Sequence, residues 1–304
     1  MNGSYPSPVR ITDVGPRDGL QNEGAFVPTA AKAAFVRGLV AAGLREIEIT
    51  SFVRPDRIPQ LADAEALCAL LGPPPEGVRY SALVPNVRGF DRALETGVIS
   101  KVGVFTAASE SFNERNVNAS IAKSLERFVP VAERAREAGV ALRGYVSTAF
   151  GCPYEGRVEP AKVLEVVKEL VDLGCEDISV SDTIGAGTPG DVAAVLGTVL
   201  AEVPLERIAL HFHDTRGMAA ANTLEGLRHG VASFDASAGG LGGCPFAPGA
   251  AGNLATEDLV YLLDGVGVEH GARLEGVRAA PAGVEEHIGH PLASRVYCAP
   301  PWIS

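Results

Sequence analysis

Residues 121–147 read IAKSLERFVPVAERAREAGVALRGYVS. A helix-like stretch, Ile121–Ala138, meets Gly139-Val140 and passes at once into an extended apolar run, Ala141–Ser147. Glycine at such a junction can take the left-handed conformation that ends a helix, and the apolar residue after it packs back on the last turn. The same mark recurs at Gly43-Leu44, Gly97-Val98, Gly174-Cys175 and Gly230-Val231. Outward from this unit, further extended runs fall at Val9–Val14, Arg45–Phe52, Arg79–Val84, Lys101–Thr106, Asp177–Ser181, Arg207–Phe212 and Ser233–Ala236. Helix-like segments lie between them at Thr29–Ala42, Pro160–Leu173 and Pro189–Val203, and Thr256–Gly265 follows the last. Strand–helix alternation implies a parallel sheet, and eight units favour a closed (β/α)8 TIM barrel over an open doubly wound sheet. No G-x-G-x-x-G follows the first run, which argues against dinucleotide binding.

With 304 residues, 46% hydrophobic and 6% aromatic, the chain suits one barrel with a core of Ala, Val, Leu and Ile. We expect the barrel over residues 1–267 and a short helical extension packed on it over 268–304, where Pro281, Pro291, Pro300 and Pro301 cluster. A formal net charge of −11 disfavours nucleic acid as a partner. Neither an export signal nor a membrane span is visible. The five cysteines at 68, 152, 175, 244 and 298 are scattered and form no C-x-x-C pair, so reduced thiols in a cytoplasmic protein are expected.

Barrel enzymes place their chemistry at the C-terminal ends of the strands. The first run ends in Asp13-Val-Gly-Pro-Arg17-Asp18-Gly-Leu-Gln21-Asn22. Glu48 lies inside the second, where a carboxylate is costly unless paired, and Arg17 is its expected partner and the group it orients. In the seventh, His211 and His213 are two apart and share a face, an arrangement that favours a metal over two buried imidazoles. Asp182 ends the sixth as either an outer carboxylate of that site or the cap of the next loop. After the eighth comes Ala238-Gly-Gly-Leu-Gly-Gly-Cys244, leading on to Asn253. The glycines read as hinges of a loop that can close over substrate and carry Cys244 to the reacting centre. An Asp, two His and an Asn, with no thiolate, suit Mg2+ or Mn2+.

Several of these stretches together resemble the hydroxymethylglutaryl-CoA lyase family. They are Asp13–Glu23, Glu48–Val53, Arg143–Ser147, Gly151–Gly156, Asp182–Gly185, His211–Thr215 and above all the cysteine loop Gly239–Asn253. The resemblance runs from about residue 9 to about 265. It implies that Asp18, His211, His213 and Asn253 bind a divalent cation, and that Arg17, His211 and Cys244 take part in catalysis. Glu48 would support Arg17, while Gln21 and Asp182 would join Arg17 in binding substrate. The implied reaction is retro-Claisen cleavage of 3-hydroxy-3-methylglutaryl-CoA, an acyl-CoA, to acetyl-CoA and acetoacetate. A homodimer is compatible with this reading. Arg216 and Met218 stand where many family members carry Tyr and Gln. Arg216 is therefore expected either to grip a substrate carboxylate or CoA phosphate, or to pair with Glu155 or Asp214. A condensing synthase of the same superfamily would lack the cysteine loop, and an acyl-CoA-binding sensor on the same barrel would have no use for a proton donor.

Overall fold

A computed structural model describes residues 5–243 and 252–300. The strands are β1 (Arg10–Asp13), β2 (Glu46–Ser51), β3 (Arg79–Leu83), β4 (Lys101–Ala107), β5 (Ala141–Ser147), β6 (Asp177–Asp182), β7 (Ile208–Phe212) and β8 (Ser233–Ala236). Each pairs parallel to the next, and β1 closes on β8 with Arg10 opposite Ser233 and Asp13 opposite Ala236. Around them run α1 (Thr29–Ala41), α2 (Ala64–Leu71), α3 (Val87–Glu95), α4 (Glu110–Val117), α5 (Ile121–Ala138), α6 (Pro160–Asp172), α7 (Pro189–Val199), α8 (Ala219–Arg228) and α9 (Thr256–Gly265). This is the expected TIM barrel. All five junction glycines have positive φ, from 67° at Gly139 to 105° at Gly43, as a left-handed helix end requires.

The aliphatic core lies between sheet and helices, where Ile47, Ile49, Val102, Val104, Val146, Ile178, Val180 and Leu210 are buried. The lumen is different. Alternate strand positions point inward, and here they carry charge. Arg143 on β5 reaches across to Thr12 on β1 (3.1 Å) and Asp235 on β8 (2.6 Å). Near the N-terminal ends of the strands, Lys101 Nζ is 3.0 Å from both Glu176 and Asp177. Barrel lumens are more often packed with branched aliphatic side chains. This one is held by ion pairs instead.

Among the described residues, the C-terminal extension forms three short helices: α10 (Leu274–Ala279), α11 (Ala282–Ile288) and α12 (Arg295–Cys298). Val277, Val284, Ile288 and Leu292 are buried. Arg273 N–H donates to Ala42 O at 2.7 Å, while Ala293 and Ser294 N–H donate to Gly239 O at 2.9 and 3.1 Å. The extension therefore touches the start of the glycine-rich loop directly.

Candidate active site

The chain leaving β1 does not run on as a plain loop. Gly15–Gly19 forms a π-helical turn in which Val14 O accepts from Asp18 N–H at 2.7 Å and from Gly19 N–H at 3.1 Å. Such turns are rare and gather at functional sites. Its brace is Asp13, whose carboxylate accepts from Gly15 N–H (2.9 Å), Ala238 N–H (3.1 Å) and Thr256 Oγ1 (2.7 Å). One buried side chain thus ties the Arg17–Asp18 turn to the start of the glycine-rich loop and to the start of α9. Burial pushes the Asp13 carboxyl up to about 6, against those three hydrogen bonds. Glu257 lies behind it, accepts from Gly239 N–H with both oxygens at 2.9 Å, and is pushed up to about 8, chiefly by burial.

Arg17 and Glu48 meet as expected, with Nε donating to Glu48 Oε2 at 2.5 Å. Arg17 Nη1 also donates to Asp18 Oδ1 at 2.5 Å. Burial works against the guanidinium charge, but Glu48 and Asp18 hold it firmly protonated. Asp18 is half-buried, which works against its charge, yet Arg17, His211 and His213 keep its carboxyl below the usual range. Asp18, His211 and His213 each present a ligand atom, all within 4.8 Å of one another. His213 and Asn253 form an isolated backbone bridge, which brings the asparagine to the cluster. Asn253 Nδ2 donates to Asp18 Oδ2 and to Leu241 O, both at 3.0 Å. Its Oδ1 is buried and accepts no hydrogen bond among the described residues. A buried amide oxygen beside a carboxylate and two imidazoles fits a hard divalent cation.

The other site residues divide. Gln21 Nε2 donates to Asp18 Oδ1 at 2.9 Å and so belongs to the cluster's surroundings. Asp182 accepts from Ala186 and Gly187 N–H, one on each oxygen at 2.9 Å, so it caps the loop after β6 while lying near enough to His211 for the imidazole to act on its carboxyl. Arg216 pairs with neither Glu155 nor Asp214. Its Nη1 donates to the carbonyls of Ile184 (3.1 Å) and Gly185 (2.8 Å), so it ties the loop after β7 to the loop after β6. Cys244 lies outside the described residues.

Three lumen residues were given no role in the sequence reading. Tyr145 OH donates to Glu48 Oε1 at 3.0 Å, and its ring centroid is 5.5 Å from the Arg17 guanidinium and 5.0 Å from that of Arg143. Arg143 holds Asp235, and Asp235 Oδ2 is 3.4 Å from His211 Nδ1. The available signal was the strand period, which puts Arg143 and Tyr145, like His211, on inward positions.

A parallel barrel with two imidazoles, a carboxylate and a paired arginine at its C-terminal mouth defines a class of enzyme built for acid–base and metal-assisted work on small anionic substrates. Comparison with known proteins narrows the class. The HMGL-like family model matches residues 8–284. Mitochondrial hydroxymethylglutaryl-CoA lyase of Bos taurus is 50% identical, over 97% of this chain and 90% of its own length. A Pseudomonas aeruginosa protein named 3-hydroxy-3-isohexenylglutaryl-CoA/hydroxymethylglutaryl-CoA lyase is 49% identical, over 96% of this chain and 97% of its own. The crystal structure of hydroxymethylglutaryl-CoA lyase from Pseudomonas aeruginosa superposes with a TM-score of 0.94 at 48% identity, over 96% of this chain and 97% of that one. The chain belongs to the HMGL-like family, among its hydroxymethylglutaryl-CoA lyases.

Proposed function

We propose that this protein cleaves 3-hydroxy-3-methylglutaryl-CoA to acetyl-CoA and acetoacetate, with Mg2+ or Mn2+ held by Asp18, His211, His213 and Asn253. The observation that carries the reading is the gathering of Asp18, His211 and His213 within 4.8 Å beside an Asn253 oxygen that makes no hydrogen bond among the described residues. When bound, such an ion supplies Lewis-acid polarisation of the substrate oxygens.

The chain's own residues supply the rest. In the cleavage, the 3-hydroxyl loses its proton and C3 becomes the ketone of acetoacetate. The C2–C3 electron pair passes into the thioester enolate, which takes up a proton at C2. Arg17 is fixed by Glu48 and Asp18 through Nε and Nη1, and among the described residues its Nη2 makes no hydrogen bond. That leaves a donor for the thioester oxygen as negative charge grows there. Glu48 orients Arg17 and is itself oriented by Tyr145. His211 and Cys244 are the proposed proton carriers, Cys244 toward the enolate carbon. Gln21 and Asp182 shape the rim around the substrate, Gln21 through Asp18 and Asp182 through its loop. We take residues 1–267 as the catalytic barrel and 268–304 as an extension packed on it. Buried, unpaired Cys68, Cys152 and Cys175 support a reducing, cytoplasmic setting.

Purified protein given hydroxymethylglutaryl-CoA and Mg2+ should release acetoacetate and acetyl-CoA in equal amounts, and EDTA should stop it. Undiminished turnover in EDTA would refute the metal, and absence of acetoacetate would refute the substrate. The name of the Pseudomonas relative favours one second reading, in which a longer 3-substituent is also cleaved. Comparing kcat/KM for the methyl and isohexenyl substrates decides between a single and a dual specificity.

A further inference from the structure

We infer that Asp235 is a positioning residue that fixes the tautomer and tilt of His211, with Arg143 setting which carboxylate oxygen does so. The inference rests on reading Asp18, His211 and His213 as metal ligands. Asp235 is fully buried in the lumen on β8, and its register partner on β7 is His211. Its Oδ1 accepts from Arg143 Nη2 at 2.6 Å, and its Oδ2 accepts from Ser179 Oγ at 2.7 Å. The same Oδ2 is 3.4 Å from His211 Nδ1, an ionic contact to a buried nitrogen that makes no hydrogen bond among the described residues.

A carboxylate can only accept hydrogen bonds. At 3.4 Å from Nδ1, it needs to close by only a few tenths of an ångström to accept from that nitrogen, and it then selects the form of His211 with the proton on Nδ1 and leaves Nε2 as the lone-pair nitrogen for a metal. Carboxylates set behind metal-binding imidazoles commonly act in this way. Arg143 adds a directional element. Its guanidinium has only donors, so whatever replaces Asp235 must present an acceptor toward it. In Asp235→Asn that acceptor is the amide oxygen, which turns the NH2 group to the Oδ2 side. The NH2 then donates to His211 Nδ1, the proton moves to Nε2, and that nitrogen no longer has a lone pair for a metal. A nearly isosteric exchange therefore reverses the ligand without emptying the lumen.

Nitrogen-15 spectra of the histidine rings test this in metal-free protein at about pH 9, where imidazole is neutral, with His211→Gln assigning the signal. Wild type should show the proton on Nδ1 and Asp235→Asn should show it on Nε2. Mn2+ titration of the metal-free proteins, followed by electron paramagnetic resonance, should show Asp235→Asn binding about 10–100-fold more weakly. A wild-type ring protonated on Nε2 would overturn the inference. So would an Asp235→Asn protein that keeps the Nδ1 proton and binds Mn2+ within twofold of wild type. Should Asp235→Asn fail to fold, the wild-type spectrum alone decides. A wild type that binds no Mn2+ but carries its proton on Nδ1 would sink the metal reading and leave the hold of Asp235 on the ring in place.

Discussion

Gly103→Ala is the smallest change that should disable this site without touching any group that meets substrate. Gly103 sits on an inward position of β4, and a Cβ there would lie 2.7 Å from Tyr145 Cε2 and 3.3 Å from Glu48 Oε1. The ring has no free direction to yield, since Arg17 and Arg143 flank it at 5.5 and 5.0 Å and Glu48 holds its hydroxyl. The clash passes to Glu48 and from there to the 2.5 Å contact that orients Arg17. Overpacking of this kind costs about 1–3 kcal/mol of stability. A displacement of Arg17 by about 1 Å should lower kcat by about 10²-fold. Gly144→Ala is the matched control. A Cβ at Gly144 faces α6 and the outer core, 2.8 Å from Cδ1 and 3.3 Å from Cβ of the buried Leu170 and 3.3 Å from Cys175 Sγ, so it crowds the core without touching the lumen. Its stability cost should likewise be about 1–3 kcal/mol, with kcat unchanged. Urea midpoints and acetoacetate release measured on both proteins test the pair. A Gly103→Ala enzyme with kcat within twofold of wild type would refute the chain from Gly103 through Tyr145 and Glu48 to Arg17.

Removing Arg17 alone strands Glu48, so Arg17→Met should cost about 3–5 kcal/mol and most of the turnover while leaving Mn2+ binding nearly intact. Arg17→Met/Glu48→Gln should recover stability but not activity, and recovery of both would remove Arg17 from the chemistry. Glu257 gives a pH signature. Its carboxyl is raised from 4.5 to about 8 in the folded protein, so the folded state holds the proton more tightly. The stability this contributes is full below 4.5 and is lost as pH rises toward 8, at up to about 1.4 kcal/mol per unit. Glu257→Gln should flatten that slope in urea melts at pH 5 and pH 8, and an unchanged slope would mean Glu257 titrates normally. Cys244→Ser should lower turnover by about 10²-fold or more, as loss of a general acid does, with Mn2+ affinity unaltered. Near-normal turnover would end its role as a proton donor.

The shell of this fold was open to sequence reading, whereas much of its lumen was not. Strand and helix periods and the five junction glycines are local signals, and they fixed all eight strands and the ends of α5 and α9. Glu48 stood out because a carboxylate in an apolar run needs a partner, and the partner proposed, Arg17, is the one found. Asp235 gave no such warning. Ser233-Phe-Asp-Ala236 alternates like a strand with one wet face, and only closure of the barrel turns that face inward. The π-helical turn at Gly15–Gly19 depends on Asp13 contacting residues 225 and 243 positions away, which no local pattern records. Arg216 offered two plausible partners in sequence and took a third, because backbone carbonyls advertise nothing in a side-chain code.

The charged lumen also constrains how this protein can change over generations. Arg17, Glu48, Tyr145, Arg143, Asp235, His211 and Asp18 follow one another across the barrel, most with a partner on either side. Replacing one member leaves its neighbours' charges unanswered in a buried setting, where the penalty is far steeper than on a surface. Single substitutions there should be rejected one at a time yet accepted in matched pairs. A random library of this gene selected for folded protein should therefore show its strongest epistasis among lumen positions on β2, β5, β7 and β8 and the turn after β1, while the outer faces of α5 and α6 drift freely and independently.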